Sequence, residues 1–127
     1  MYRTSHKATA RRAIGDRFET AARAYLEARG LRFVRANFLC RHGEIDLVMR
    51  DRDTIVFVEV RYRRSSAFGG AVGSITARKR QRLSSAAHIW MMANPWDARR
   101  SCRFDVVAFE GDIGCEVVEW VRGAFEP

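Results

Sequence analysis

The sequence predicts an α/β fold with one mixed sheet flanked by helices, and three observations point there. Residues 31–39, 42–64 and 103–121 alternate apolar and polar side chains with the period of two that a strand imposes. Two other stretches, 10–29 and about 74–92, repeat their apolar residues at helical spacing. The second of these lies between strands, so residues 103–110 should return parallel to a central strand through a right-handed crossover. The expected order is α-β-β-β-α-β-β, in one domain over residues 10–127 behind a mobile basic arm, residues 1–9.

The first helix carries Ile14, Phe18, Ala21, Ala22, Tyr25 and Leu26 on one stripe, and Gly30 stops it. Glu19 falls at the edge of that stripe, where it either pairs with Arg23 or leans over the sheet. Residues 31–39 form a strand that turns through Cys40-Arg41-His42-Gly43 into a hairpin. If that hairpin turns between Arg52 and Asp53, paired residue numbers sum to 105, and Asp46 faces Glu59. Glu44, Asp46 and Val48 then share one face of their strand, with Ile45, Leu47 and Met49 on the other. Opposed carboxylates repel, and Glu59 sits in an apolar, β-branched run where an unpaired charge is costly. A cation belongs there, either Arg61 on the same face or a divalent metal with oxygen ligands.

Residues 63–73 combine Arg63 and Arg64 with serines and glycines and read as a loop. The second helix follows, with Arg78, Lys79, Arg80 and Arg82 crowded into its first two turns. Cations there oppose the helix dipole, so the cluster reads either as a phosphate-binding end or as a solvated face with alkyl stems over apolar surface. Asn94-Pro95 breaks the helix, and two further strands are expected at 103–110 and 115–121, joined by Gly111-Asp112-Ile113-Gly114.

Composition narrows the partners. The 127 residues carry 23 Lys and Arg against 15 Asp and Glu, a net charge of +8, which suits a polyanion. No apolar run approaches the roughly 20 residues of a membrane span, and no apolar stretch follows the basic start, so a cytoplasmic protein without a membrane partner is expected. Cys40, Cys102 and Cys115 are scattered, form no CxxC, and indicate neither a disulfide framework nor a zinc knuckle.

Asp46, then Glu59-Val60-Arg61 thirteen residues on (59 − 46), behind a helix bearing Glu19, resembles the PD-(D/E)XK nuclease superfamily. The runs Gly43-Glu44-Ile45-Asp46-Leu47-Val48, Phe57-Val58-Glu59-Val60-Arg61 and Arg103-Phe104-Asp105-Val106-Val107 are similar to the YraN family, which is compared with Holliday-junction resolvases. The resemblance implies a restriction endonuclease-like core. It implies that Asp46, Glu59 and the Val60 carbonyl hold Mg²⁺ or Mn²⁺, with Glu19 adding a carboxylate. Arg61 would occupy the place of the motif's last lysine, and Ser74 and the basic helix would border the cleft. Ile45 replaces the motif's proline, which affects local backbone shape alone. The arginine matters more, because a guanidinium stays charged and cannot act as a general base.

The expected function is metal-dependent cleavage of DNA phosphodiesters, with branched or recombining DNA as the narrower expectation. Glu19, Asp46, Glu59 and Arg61 are the expected catalytic set. Arg63, Arg64, Ser74, Arg78, Lys79, Arg80 and Arg82 are the expected nucleic-acid contacts. The alternative is a catalytically weak or inactive nucleic-acid-binding protein of the same fold. A homodimer is the expectation drawn by analogy with resolvases on two-fold symmetric junctions. An interaction protein using Trp90, Met92 and Trp96 has no motif to recommend it.

Overall fold

The computed structural model describes residues 2–64, 73–96 and 99–126, with side chains from Arg12 onward. Its elements are α1 (Tyr2–Glu27), β1 (Arg32–Cys40), β2 (Gly43–Asp51), β3 (Thr54–Arg63), α2 (Ala77–Ala93), β4 (Cys102–Glu110) and β5 (Val117–Phe125). The predicted order is therefore the observed one. One five-stranded sheet runs β1-β2-β3-β4-β5, with β3 and β4 parallel and every other pair antiparallel. The hairpin register is the expected one, from Leu47 opposite Val58 to Asp51 opposite Thr54. Arg52, at φ 56°, takes the left-handed conformation that the tight turn needs.

Burial on both faces explains why β3 reads as a nearly unbroken apolar run. Val56 and Val58 pack with Leu47 and Met49 under Phe18, Ala22 and Leu26 of α1. Ile55 and Phe57 point the other way, into a layer with Leu83, Ala86, Ala87 and Trp90 of α2. The sheet is thus sandwiched between the two helices.

Several boundaries and positions differ from the sequence reading. The backbone of α1 is helical from Tyr2, so the helix takes in most of the stretch expected as an arm. The expected loop after Arg64 lies largely outside the described residues, as 65–72 do. Thr76 starts α2 by accepting the Lys79 amide at 3.1 Å, which sets the first helical residue at Ala77. Ile45 leaves the predicted alternation and packs with Val48 on the α2 side, while Leu47 and Met49 face α1.

The last strand runs to Phe125 because Asp105 accommodates its irregularity. A shift in the β4–β5 ladder between Phe104 and Val106 is matched by Gly123 at φ 57°, whose N–H donates to Asp105 Oδ1 at 3.0 Å. Asp105 is fully buried, and Arg103 and Trp120 donate to it as well, at 3.0 to 3.2 Å. Arg103 also reaches Asp51 at 3.0 Å, tying β4 and β5 to the far end of the hairpin.

Candidate active site

The site lies where the sheet opens. Pairing between β2 and β3 runs from the turn to Leu47–Val58 and goes no further, while β2 stays paired with β1 as far as Gly43. In the gap the Asp46 carboxylate takes over a backbone position, accepting the Val60 N–H through Oδ2 at 2.8 Å. Across β2, Asn37 sits between the paired positions Ala36–Leu47 and Phe38–Ile45, in the left-handed conformation at φ 54°. At this level Ile45 joins the α2 layer with Val48.

Glu59 follows the buried Phe57 on the α2 face of β3 and is itself buried. The Asp46 charge acts on it from the neighbouring strand. Arg61 Nε stands 3.9 Å from Glu59 Oε1, and Lys79 Nζ, reaching down from α2, stands 3.8 Å from Oε2. Those separations exceed hydrogen-bond length, so Oε2 is buried with no hydrogen-bond partner. Desolvation, reinforced by the Asp46 charge, pushes Glu59 up to about 8 despite the two nearby cations. Burial also raises Asp46, against the opposing Val60 hydrogen bond.

Glu19 leans over the sheet instead of pairing with Arg23. That arginine bonds Glu27 at 3.2 Å and stacks on Phe33 at 3.6 Å. Among the described residues, Glu19, Glu44 and Asp46 each offer a carboxylate oxygen, all within 4.8 Å of one another. Turned with its nitrogen toward the acids, the Asn37 amide donates to Glu19 at 2.8 Å and to Glu44 at 2.7 Å. Burial, then the charges of Asp46 and Glu44, raise Glu19 to about 7. Glu44 is raised by burial and then by Asp46. Arg12, Asp16, Glu19, Asn37 and Glu44 line a cavity of about 420 Å³ through which the acids meet solvent.

Glu19 and Asp46 thus meet from helix and strand, with Glu59 linked to them through Asp46, and two residues absent from the sequence-derived set, Glu44 and Asn37, join them. Glu44 was legible in principle, since it shares a strand face with Asp46. Asn37 was signalled only by an amide in mid-strand, where asparagine is disfavoured.

The seven expected nucleic-acid residues separate. Arg63 and Ser74 lie at the end of β3 and just before α2, each with interactions of its own. Arg64 faces Asp112 at 3.7 Å, both of them exposed. Lys79 belongs to the carboxylate site, and Arg80 lies over the Phe125 ring at 5.5 Å. Arg78 and Arg82 remain exposed on the outer side of α2. Trp90 is buried, edge-on to Phe38 at 5.2 Å, and is no part of an exposed patch.

The profile of a sequence family described as "Uncharacterised protein family UPF0102" matches residues 18–109, which take in Glu19, both carboxylate strands, α2 and β4. The chain belongs to UPF0102. It is 53% identical to a UPF0102 protein of Serratia proteamaculans over 90% of this chain and 95% of that one. A UPF0102 protein of Ectopseudomonas mendocina is 50% identical, covering 89% of this chain and 94% of its own. The UPF0102 protein YraN of Salmonella arizonae is 52% identical over 87% and 82%. The likeness to the YraN family, read from three short runs, is borne out at the level of the whole domain. No helix among the described residues of this UPF0102 protein is long and apolar enough to cross a membrane.

Proposed function

We propose that this UPF0102 protein is a metal-dependent endonuclease that hydrolyses DNA phosphodiesters, with branched or recombining DNA as the narrower substrate. The observation that carries the proposal is the buried Glu59 carboxyl, flanked by Lys79 and Arg61 and raised by the charge of half-buried Asp46, which is itself gathered with Glu19 and Glu44. Burial, then the Asp46 charge, raises Glu59, and that cost falls on the metal-free fold. Active sites tolerate that cost where a cation is to be bound.

The donor set fits Mg²⁺ or Mn²⁺. Glu19, Glu44 and Asp46 gather hard carboxylate oxygens within 4.8 Å of one another, and Glu59 Oε2 is buried without a hydrogen-bond partner. Asp46 and Glu59 would hold the ion, with Glu19 and Glu44 completing its acidic side and the Val60 carbonyl as the fourth element of the motif. Bound there, the ion would acidify a water and offset the charge that develops on the phosphodiester oxygens.

The chain's own groups divide the remaining work. The Val60 N–H fixes one Asp46 oxygen at 2.8 Å and leaves the other to turn into the pocket. Asn37 holds Glu19 and Glu44 together. Arg61 keeps a permanent positive charge beside the carboxylates and suits a phosphate oxygen. Lys79, reaching the same carboxylate from the helix, supplies the transferable proton that Arg61 lacks in the position of the motif's lysine.

The test is incubation of purified protein with branched and linear DNA, with Mg²⁺ or Mn²⁺ and with chelator. Metal-dependent cutting abolished by Asp46→Ala supports the enzyme. Salt-sensitive binding with no product at any metal concentration supports the second reading, a non-cleaving nucleic-acid-binding protein. That reading is favoured by one observation, the Arg61 guanidinium standing beside Glu59 where a cleaving site has an amine.

A further inference from the structure

The helix α2 contains no acidic residue, and its two sides do different things. Leu83, Ala86, Ala87 and Trp90 are buried against the sheet. On the opposite side, Arg78, Gln81, Arg82 and Ser85 meet the β1–β2 turn at Arg41 and His42, enclosing a pair of adjoining concavities of about 290 and 440 Å³. The turn sits next to the helix: a Cβ built on Gly43 would lie 3.8 Å from that of Arg82, an ordinary contact distance. The groove runs on past Ser84 and His88 to Met92, and no carboxylate lines it. Arg78 and Arg82 form no ion pair among the described residues, and Arg41 donates to the His42 ring at 3.3 Å. The acids of the site begin two residues beyond His42, at Glu44.

We infer that this groove is a track for one phosphodiester strand of a nucleic acid, leading it past the β1–β2 turn to the carboxylate site. The inference rests on the nuclease reading for its substrate class and adds the path. Arg41, Arg78 and Arg82 bring positive charge and Gln81 an amide N–H donor along one edge beside His42, while Ser84, Ser85 and His88 supply short polar contacts. From Arg78 to Met92 the helix advances fourteen residues (92 − 78), or about 21 Å at 1.5 Å per residue, the rise of some six nucleotides of a strand. Acids gathered at one end and cations along the groove give a polyanion a single register, because the acidic end accepts phosphate only through a cation.

Lys79 and Arg80 do not belong to this track, the first being turned to Glu59 and the second to Phe125. This separates the track from a phosphate site at the helix end.

The experiment is a salt titration of binding to a duplex of about 20 base pairs, without divalent metal, for wild type, Arg78→Gln/Arg82→Gln, Gln81→Glu and Arg52→Gln/Arg122→Gln. The last pair lies at the opposite end of the sheet, in a groove shared with Asp51 and Asp53. The track predicts that Arg78→Gln/Arg82→Gln lowers the slope of log affinity against log salt by about 2 and the affinity about tenfold. Gln81→Glu, an exposed substitution of equal size, should weaken binding without altering thermal stability. The Arg52/Arg122 variant should bind like wild type. Unchanged slope and affinity in both α2 variants overturn the track, as does an equal loss in the Arg52/Arg122 variant or a preference for anionic lipid vesicles over DNA. Failure of the nuclease reading looks different: binding with these slopes persists, and no product forms with metal.

Discussion

At Glu59 a carboxyl is buried among apolar strand residues with a second carboxyl beside it and two cations held just out of hydrogen-bond reach. Nothing about folding requires this, since glutamine would fill the same volume at less cost. Glu59→Gln should therefore raise the stability of the metal-free protein above pH 8 by on the order of 1 kcal/mol while removing any stabilisation by Mg²⁺, read by denaturant unfolding with and without the ion. Lys79→Ala should abolish cleavage and leave DNA affinity within about threefold, because one exposed phosphate contact at most is lost; cleavage at the wild-type rate would exclude Lys79 from the chemistry. At this scale the sequence was partly legible. The register from Leu47–Val58 to Asp51–Thr54 followed from strand periodicity, but the expected Asp46–Glu59 pair is not part of the ladder, which stops one step short of it. Asn37, with its left-handed backbone, and the shift of Ile45 did not follow, because both depart from the strand alternation that periodicity assumes.

The elements explain why these side chains meet. The ladder between β2 and β3 ends at Leu47–Val58, and Asp46 bridges the opening through the Val60 amide. On the far side of β3, level with Val58, the sheet is tied by Asp105, whose two oxygens accept from Arg103, Trp120 and Gly123. Arg103-Phe104-Asp105 stood out in the sequence as part of a family likeness, and its role is to hold the sheet rather than to hold a ligand. The same-face spacing of Arg103 and Asp105 could have suggested a buried pair, but its partners on β5 come from an irregularity no pattern reveals. Asp105→Ala should cost about 3–5 kcal/mol, because Trp120, the Gly123 N–H and one side of the Arg103 guanidinium lose a fully buried acceptor, Asp51 alone remaining to Arg103; a loss under 1 kcal/mol in denaturant unfolding would contradict this. Thr76→Ala should cost about 1 kcal/mol by exposing the Lys79 amide at the start of α2.

Over the whole molecule, a net charge of +8 coexists with a local concentration of acids. That contrast sets a pH dependence whose sign can be worked out. Glu19 and Glu59 have folded pKa values of about 7 and about 8, above the 4.5 of an unperturbed glutamate, so between pH 4.5 and 8 the folded state binds more protons than the unfolded one. Their contribution to metal-free stability is present at the low end of that window and is lost as pH rises through it. Mg²⁺ should reverse the trend by binding the ionised carboxylates, so the melting temperatures with and without the ion should diverge from about pH 6 upward. Element order and strand register were readable because burial imposes periodicity on every strand and helix. The opening between β2 and β3 was not, because it records where pairing stops, and the residues on either side remain strand-like.

The most direct measurement of the central claim is calorimetric titration of Mn²⁺ into wild type, Asp46→Asn, Glu59→Gln and Asp105→Asn at pH 8. One site that releases protons in wild type, is lost in the first two variants and is retained in any folded fraction of the third is the result expected. Binding of equal strength in Asp46→Asn and wild type, or none in wild type at millimolar ion, would contradict it.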